Sequence, residues 1–322
     1  MSYSIQPYRA PVWLPGGHVQ TLYAAALRRP KLHYRRERWE LPDGDFIDLD
    51  WLDADVDAPL AVLFHGLEGD SRSVYALHLM AALKQRGWRG VVAHFRGCSG
   101  EANRLPRAYH SGDSAEIDYI LRRLRRNNAA PMFAAGVSLG GNALLKWLGE
   151  QGVAATELLR SAAAVSAPFD LPAAGAALDR GFSRIYTIHF LRTLKRKALD
   201  KLDRFPGLYS REALHAVNSI EAFDSLFTAP LHGYRNAADY WQRSASKPWL
   251  PHIRVPTLII NAHNDPFMSG RVLPGPNEVS ERVTLEFPAQ GGHVGFVTGA
   301  FPGGFEWLPQ RLLAHFDTAA AG

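Results

Sequence analysis

A serine between glycines, an aspartate ahead of a proline and a histidine behind two glycines are the residue types in this chain that together could perform nucleophilic catalysis. Gly136-Val137-Ser138-Leu139-Gly140 lies where an apolar run, Met132 to Gly136, gives way to a helical pattern, Leu139 to Glu150. So tight a strand-to-helix turn needs small residues two before and two after the serine, or helix and strand collide. The hydroxyl then stands at a helix N-terminus, where outward N–H groups favour developing negative charge. Serine attacks a carbonyl only when a base takes its proton, so a histidine and an orienting acid are required. Asn261-Ala-His-Asn-Asp265-Pro-Phe267 follows the apolar run Thr257 to Ile260, and Gly291-Gly-His293 follows Val283 to Phe287. Parallel strands present their carboxyl ends at one edge, which brings both loops to the side of Ser138. We therefore assign Ser138 as nucleophile, Asp265 as acid and His293 as base. His263 is the nearest competing base, but it shares the loop of the acid and leaves His293 without a role.

A tetrahedral intermediate also needs two N–H donors for its oxyanion, each worth roughly 3 kcal/mol. Leu139, directly after the serine, supplies one. Phe64-His65-Gly66-Leu67-Glu68-Gly69 supplies the other, taken as the Leu67 amide, with Gly66 permitting close backbone approach. His65 is read as holding this loop by hydrogen bonding, and His65, Gly66, Cys98 and Phe267 as lining the substrate pocket. Phe95-Arg-Gly-Cys98-Ser99-Gly100 is read as a pocket loop and not a second nucleophile, since no acid–base pair remains for it. Arg96 and Asp113 are expected to brace it as a structural ion pair.

The elements that must position these residues are legible in the apolar runs. Lys31 to Leu41 and Phe46 to Leu52 alternate apolar with polar around Pro42-Asp-Gly-Asp45, a hairpin signal. Leu60–Phe64, Gly90–Phe95, Met132–Gly136, Ala162–Ser166 and Thr257–Asn261 are continuous apolar runs, as in strands buried on both faces of a parallel sheet. With Val283–Phe287 the count reaches eight strands. Helical patterns separate them: Ser73 to Arg86, Ser114 to Arg126, Leu139 to Glu150 and a last one near Phe305 to Phe316. The alternation implies right-handed crossovers and a doubly wound α/β sheet. It fails between about Asp170 and Pro251, where helical patterns from Arg184 to Leu199, Ser219 to Leu226 and Tyr234 to Gln242 occur without a strand. We read residues 170–250 as a helical cap inserted into a core of residues 1–169 and 251–322.

Composition bounds the rest. With 322 residues, 47% hydrophobic and 21% charged, the chain is neither disordered nor a small stapled scaffold. Its single cysteine, Cys98, excludes an internal disulfide, a cysteine-based zinc site and an iron–sulfur cluster, and fits a reducing compartment. The first residues lack a secretory pattern, and no apolar stretch is long enough to span a bilayer. A cytoplasmic location is expected. A net charge of +5 is modest for this size and demands no nucleic-acid partner; basic and aromatic residues are not interleaved in any binding module. The basic runs Arg122–Arg126 and Arg192–Lys197 read as solvated helix faces. Beside the second, Ile185, Ile188, Leu191 and Leu194 recur at helical spacing, so this cap helix could touch anionic lipid transiently.

Trp13-Leu-Pro-Gly-Gly-His-Val-Gln-Thr21, His65-Gly-Leu-Glu-Gly69, Phe95-Arg-Gly-Cys-Ser-Gly100, Tyr109-His-Ser-Gly-Asp113, Gly136-Val-Ser-Leu-Gly-Gly-Asn142 and Asn261-Ala-His-Asn-Asp-Pro-Phe267 occur in that order. Through them the chain resembles the α/β-hydrolase superfamily over nearly its whole length, and within it the YheT-like hydrolases and esterases. The resemblance implies the α/β-hydrolase fold, an eight-stranded mostly parallel sheet flanked by helices, with Ser138, Asp265 and His293 as the triad. It implies hydrolysis of carboxylic esters, short- to medium-chain or acylglycerols, without metal or organic cofactor. Acyl transfer to an alcohol is the alternative reaction, and an inactive hydrolase-fold binding protein a remoter one. The cap matches little, so the resemblance does not define acyl length or alcohol; monomer and homodimer stay open.

Overall fold

The computed structural model describes residues 6–268 and 270–320. Helix α1 (Gly17–Ala26) precedes the sheet. Strands β1 (Arg35–Glu40) and β2 (Phe46–Leu52) form the expected hairpin, Arg35 opposite Trp51 and Glu40 opposite Phe46. Then follow β3 (Leu60–Phe64), α2 (Val74–Gln85), β4 (Arg89–Ala93), α3 (Ser114–Arg126), β5 (Met132–Val137), α4 (Leu139–Gln151) and β6 (Ser161–Val165). Between β6 and the next strand lie α5 (Leu171–Leu178), α6 (Arg184–Arg204), α7 (Arg211–Ala216), α8 (Ile220–Phe223), α9 (Ala229–Leu231) and α10 (Ala237–Ser244). The chain closes with β7 (Thr257–Ile260), β8 (Val283–Glu286) and α11 (Trp307–Ala320).

The eight strands form one sheet in the order β1-β2-β4-β3-β5-β6-β7-β8. β2 runs antiparallel to both neighbours, and every pair from β4 onward is parallel. β3, β5 and β6 are buried at every position, as continuous apolar runs require. Alternate side chains feed two layers. Val62 and Phe64 pack with α3 and α4, whereas Ala61 and Leu63 pack with α2 and α11. The helices after β6 gather around their own apolar cluster, including Leu191, Leu214, Phe223, Phe227 and Trp241.

Four helices, α1, α5, α7 and α9, lie outside the helical patterns of the sequence. The sequence of α1, GHVQTLYAAA, opens on glycines without a capping side chain, so tertiary contact and not local signal holds it. Helix α6 differs in another way. Ile185 and Ile188 face outward, but Leu191 is buried and Leu194 turns toward a cavity. Each three-residue step lags a full turn by about 60°, so the three steps from Ile185 to Leu194 wrap from the outer face to the inner.

Three histidines are held neutral by burial: His65 is pushed down to about 3, and His110 and His315 to about 4. A histidine whose folded pKa is depressed leaves the unfolded chain the better proton binder, so its stability contribution is complete above about pH 6.5 and is lost as pH falls toward 4. For His315, whose Nε2 lies 3.1 Å from the Ala162 carbonyl, we expect His315→Gln to flatten this loss. Urea unfolding of both proteins between about pH 7 and about pH 4.5 should show their difference narrowing by roughly 1 kcal/mol per pH unit; a constant difference would contradict the burial argument.

Candidate active site

Ser138 sits between β5 and α4 with φ 52° and ψ −121°, a left-handed backbone that a side-chain-bearing residue adopts only under tertiary constraint. Its amide donates to the Val165 carbonyl on β6 at 2.8 Å. The neighbouring glycines are required by contact. A methyl group at Gly136 would lie 2.5 Å from the Gly140 carbonyl oxygen, and one at Gly140 would lie 2.4 Å from that of Phe64. Leu139 opens α4, so its amide points out of the helix end beside Ser138.

Asp265 and His293 reach this turn from the loops after β7 and β8. His293 Nε2 lies 2.9 Å from Ser138 Oγ, and its Nδ1 lies 2.9 Å and 3.2 Å from the two carboxylate oxygens of Asp265. Asp265 is buried and accepts the Phe267 amide at 2.8 Å, which fixes its carboxylate plane. The Phe267 ring stacks on the imidazole at 3.9 Å. His263 is turned the other way, its ring 6.2 Å from Phe287.

Residues to which the sequence attached no role hold the two loops together. Gln20, fully buried on α1, accepts from the Gly291 amide and the Asn264 side chain, while its own NH2 donates to Leu14 and Gln290. Thr21 Oγ1 accepts the His293 amide at 2.8 Å, and Asn264 accepts that of Gly292. These residues belong to the Trp13–Thr21 and Asn261–Phe267 motifs, which were the only signal that could have found them.

The loop after β3 is pinned on several sides. His65 uses both nitrogens, Nδ1 toward the Gly66 carbonyl at 2.8 Å and Nε2 accepting the Phe95 amide at 3.1 Å. The Gly66 amide donates to Tyr75, and a methyl at Gly66 would lie 3.1 Å from Ser138 Cβ, so the loop passes close over the serine. Glu68 has φ 55°; its amide donates to the Tyr109 hydroxyl, which donates back to the Glu68 carboxylate. Lys197 of α6 donates to the same carboxylate oxygen at 2.7 Å.

One cavity borders Leu67, Ser138, Leu139 and His293, running between α6 and the helices after it. Phe267 lines it. His65, Gly66 and Cys98 do not line it and lie behind it, which corrects their placement as pocket residues: His65 and Cys98 are spent on packing and on holding the loops. Burial pushes the Cys98 thiol up to about 12. The Arg96 and Asp113 pairing is also corrected. Arg96 bonds Asp43, Asp45 and Glu116, whereas Asp113 pairs with Arg107. Among the described residues no three His, Cys, Asp or Glu side chains are grouped to hold a metal ion.

Comparison with known proteins agrees with this fold. The profile of the alpha/beta hydrolase fold family matches residues 59–300. The chain belongs to the α/β-hydrolase family. This hydrolase is 43% identical over 303 residues to YheT of Escherichia coli (strain K12), a candidate esterase by name, covering 92% of this chain and 88% of YheT. It is 30% identical over 309 residues to phospholipase ABHD3 of Homo sapiens, covering 92% and 75% of the two chains. Against the monoacylglycerol lipase of Saccharomyces cerevisiae (strain ATCC 204508 / S288c), identity is 30% over 255 residues, 76% of this chain and 56% of the lipase. Among solved structures, Est1E of Butyrivibrio proteoclasticus with bound ferulic acid superposes on this hydrolase with a TM-score of 0.59 at 11% identity, covering 90% of this chain and all of that one. The YheT-like identity of the chain thus rests on sequence, and its hydrolase fold on both.

Proposed function

We propose that this carboxylic ester hydrolase works through an acyl-enzyme on Ser138, and the observation that carries the proposal is the line from Ser138 through His293 to Asp265 at the end of a strained strand-to-helix turn. His293 Nε2 takes the hydroxyl proton as Ser138 Oγ attacks the ester carbonyl, and Asp265 holds the imidazolium in its productive orientation. The Leu67 and Leu139 amides receive the oxyanion. The tetrahedral species collapses with loss of the alcohol, which takes its proton from His293. Water then gives its proton to the same nitrogen and attacks the acyl carbonyl, and the second tetrahedral species breaks its bond to Ser138 Oγ, which takes the proton back from His293 as the acid leaves. Residues 170–250 serve as a cap on a core of residues 1–169 and 251–322, supported by the separate apolar cluster of these helices. The apolar side chains of the cavity, Leu171, Phe223 and Trp241 among them, suit an acyl chain of short to medium length, on a simple alcohol or on glycerol. The lone cysteine agrees with a reducing compartment such as the cytoplasm.

A fluorophosphonate probe tests the reading: it should add once per chain, on the peptide that contains Ser138, and labelling elsewhere would overturn it. The oxyanion loop carries a second expectation. Because Lys197 and Tyr109 clamp Glu68, the neighbour of Leu67, Lys197→Met should lower kcat by roughly tenfold and leave KM within about twofold. Parallel changes in both constants would place Lys197 on the substrate instead.

A further inference from the structure

Seven of the nine large apolar side chains left exposed among the described residues collect on one face. Helix α1 contributes Val19 and Leu22; the start of α6 and the turn before it contribute Phe182, Ile185 and Ile188. The two sets join through His18, whose ring lies 4.6 Å from Phe182 and stacks on Tyr186. On the other side of α1, Tyr23 packs on Trp13 at 5.1 Å and Trp13 on exposed Phe301 at 5.4 Å, which extends the face to Val12 and the 299–303 loop. Scattered apolar residues on a surface are ordinary, but a contiguous patch marks an interaction site.

The charge on the α1 and α6 parts of the patch has one sign, while exposed Glu306 follows the 299–303 loop. Residues 6–34 carry Arg9, Arg28, Arg29 and Lys31 with no Asp or Glu, and residues 180–199 carry six Arg and Lys side chains with none. Arg28, Arg180, Arg184 and Arg192 are exposed beside the apolar residues. The nearest acid in sequence, Asp179, is turned inward to Thr187 and the Ile220 amide. The face also adjoins the histidine loop: Thr21 receives the His293 amide, Ser183 donates to the Pro266 carbonyl, and Tyr186 packs on Phe267 at 4.8 Å.

We propose that this composite face of α1, α6 and the 299–303 loop docks on an anionic lipid surface. The apolar side chains enter the headgroup region and the arginines meet lipid phosphates. A second copy of the chain is the poorer occupant, because a two-fold contact would set the same cations against each other. Among the described residues no helix is long and apolar enough to cross a membrane, and the contact proposed is with the lipid surface.

Co-sedimentation with vesicles tests the proposal without any substrate and so stands apart from the roles given to Ser138, Asp265 and His293. The full chain should bind phosphatidylcholine vesicles containing about a third phosphatidylglycerol at least tenfold more tightly than pure phosphatidylcholine, and lose that preference in high salt. The double variant Leu22→Asp with Ile188→Asp should lose binding by tenfold or more while hydrolysing a soluble short-chain ester as before. Val153→Asp, an exposed apolar residue far from the face in sequence, should bind like the parent chain. Binding that ignores lipid charge, or survives in the double variant, would overturn the proposal. So would sedimentation velocity showing a dimer that the double variant dissociates, since a second copy would then cover the face.

Discussion

Ser138→Ala is expected to lower kcat on p-nitrophenyl esters by roughly 10⁴-fold or more and to abolish fluorophosphonate labelling, with the fold unchanged. The loss should be this large because the remaining groups act only through that oxygen. His293 has Nε2 committed to Ser138 and Nδ1 to Asp265, so its base function is directed at that one hydroxyl. Residual hydrolysis would come from the oxyanion donors and from substrate binding. His293→Ala in the Ser138→Ala background should therefore cost little more, because groups that act as a unit are not additive. Circular dichroism must show an intact fold, since the serine-to-alanine change removes a single oxygen. Retention of esterase activity within tenfold of the parent chain would refute the assignment.

Gly140→Ala should have a large effect on the fold for a single added methyl group near the site. Its Cβ would lie 2.4 Å from the Phe64 carbonyl and 2.5 Å from that of His65, both backbone atoms at the end of β3 with nowhere to go. The change must push α4 from the sheet, at a cost of about 3 kcal/mol or more, and lower the melting temperature by about 5 °C. It also moves Leu139 and the loop that carries Leu67 apart, so activity should fall by more than the folded fraction does. The neighbouring Gly141 provides the contrast: a methyl there would meet Ala167 Cβ at 3.0 Å, and the milder crowding should give a smaller loss. Equal melting temperatures for Gly140→Ala and the parent chain would refute the close-contact account.

The parts of this structure that could be read from sequence are those governed by short-range pattern. Continuous apolar runs announce strands buried on both faces, and the Ser138 turn announces itself because its glycines are a steric necessity within five residues. The roles of Gln20, Thr21 and Asn264 could not be read in this way. Gln20 meets the Gly291 amide across 271 positions of chain, and nothing local marks a glutamine that will spend its whole side chain on distant backbone. The pocket assignment of His65 and Cys98 failed for a related reason: nearness to the catalytic motif in sequence says nothing of which side of the loop a side chain takes. Along α6, a run of apolar residues spaced by three suggested one stripe, but the helix turns them from solvent to cavity.

The proposed triad is drawn from parts of the sheet that differ in how firmly they are held. Ser138 leaves β5, buried at all six positions and flanked by β3 and β6. His293 follows β8, four residues long, incompletely buried and at the sheet margin. Under mild denaturant the margin should open first as its own cooperative unit, so catalytic competence should vanish while amides of β5 remain protected from hydrogen exchange. The enzyme would then possess an inactive, nearly native state with its nucleophile still in place, and recovery from it would be a matter of closing one edge and not of refolding the chain.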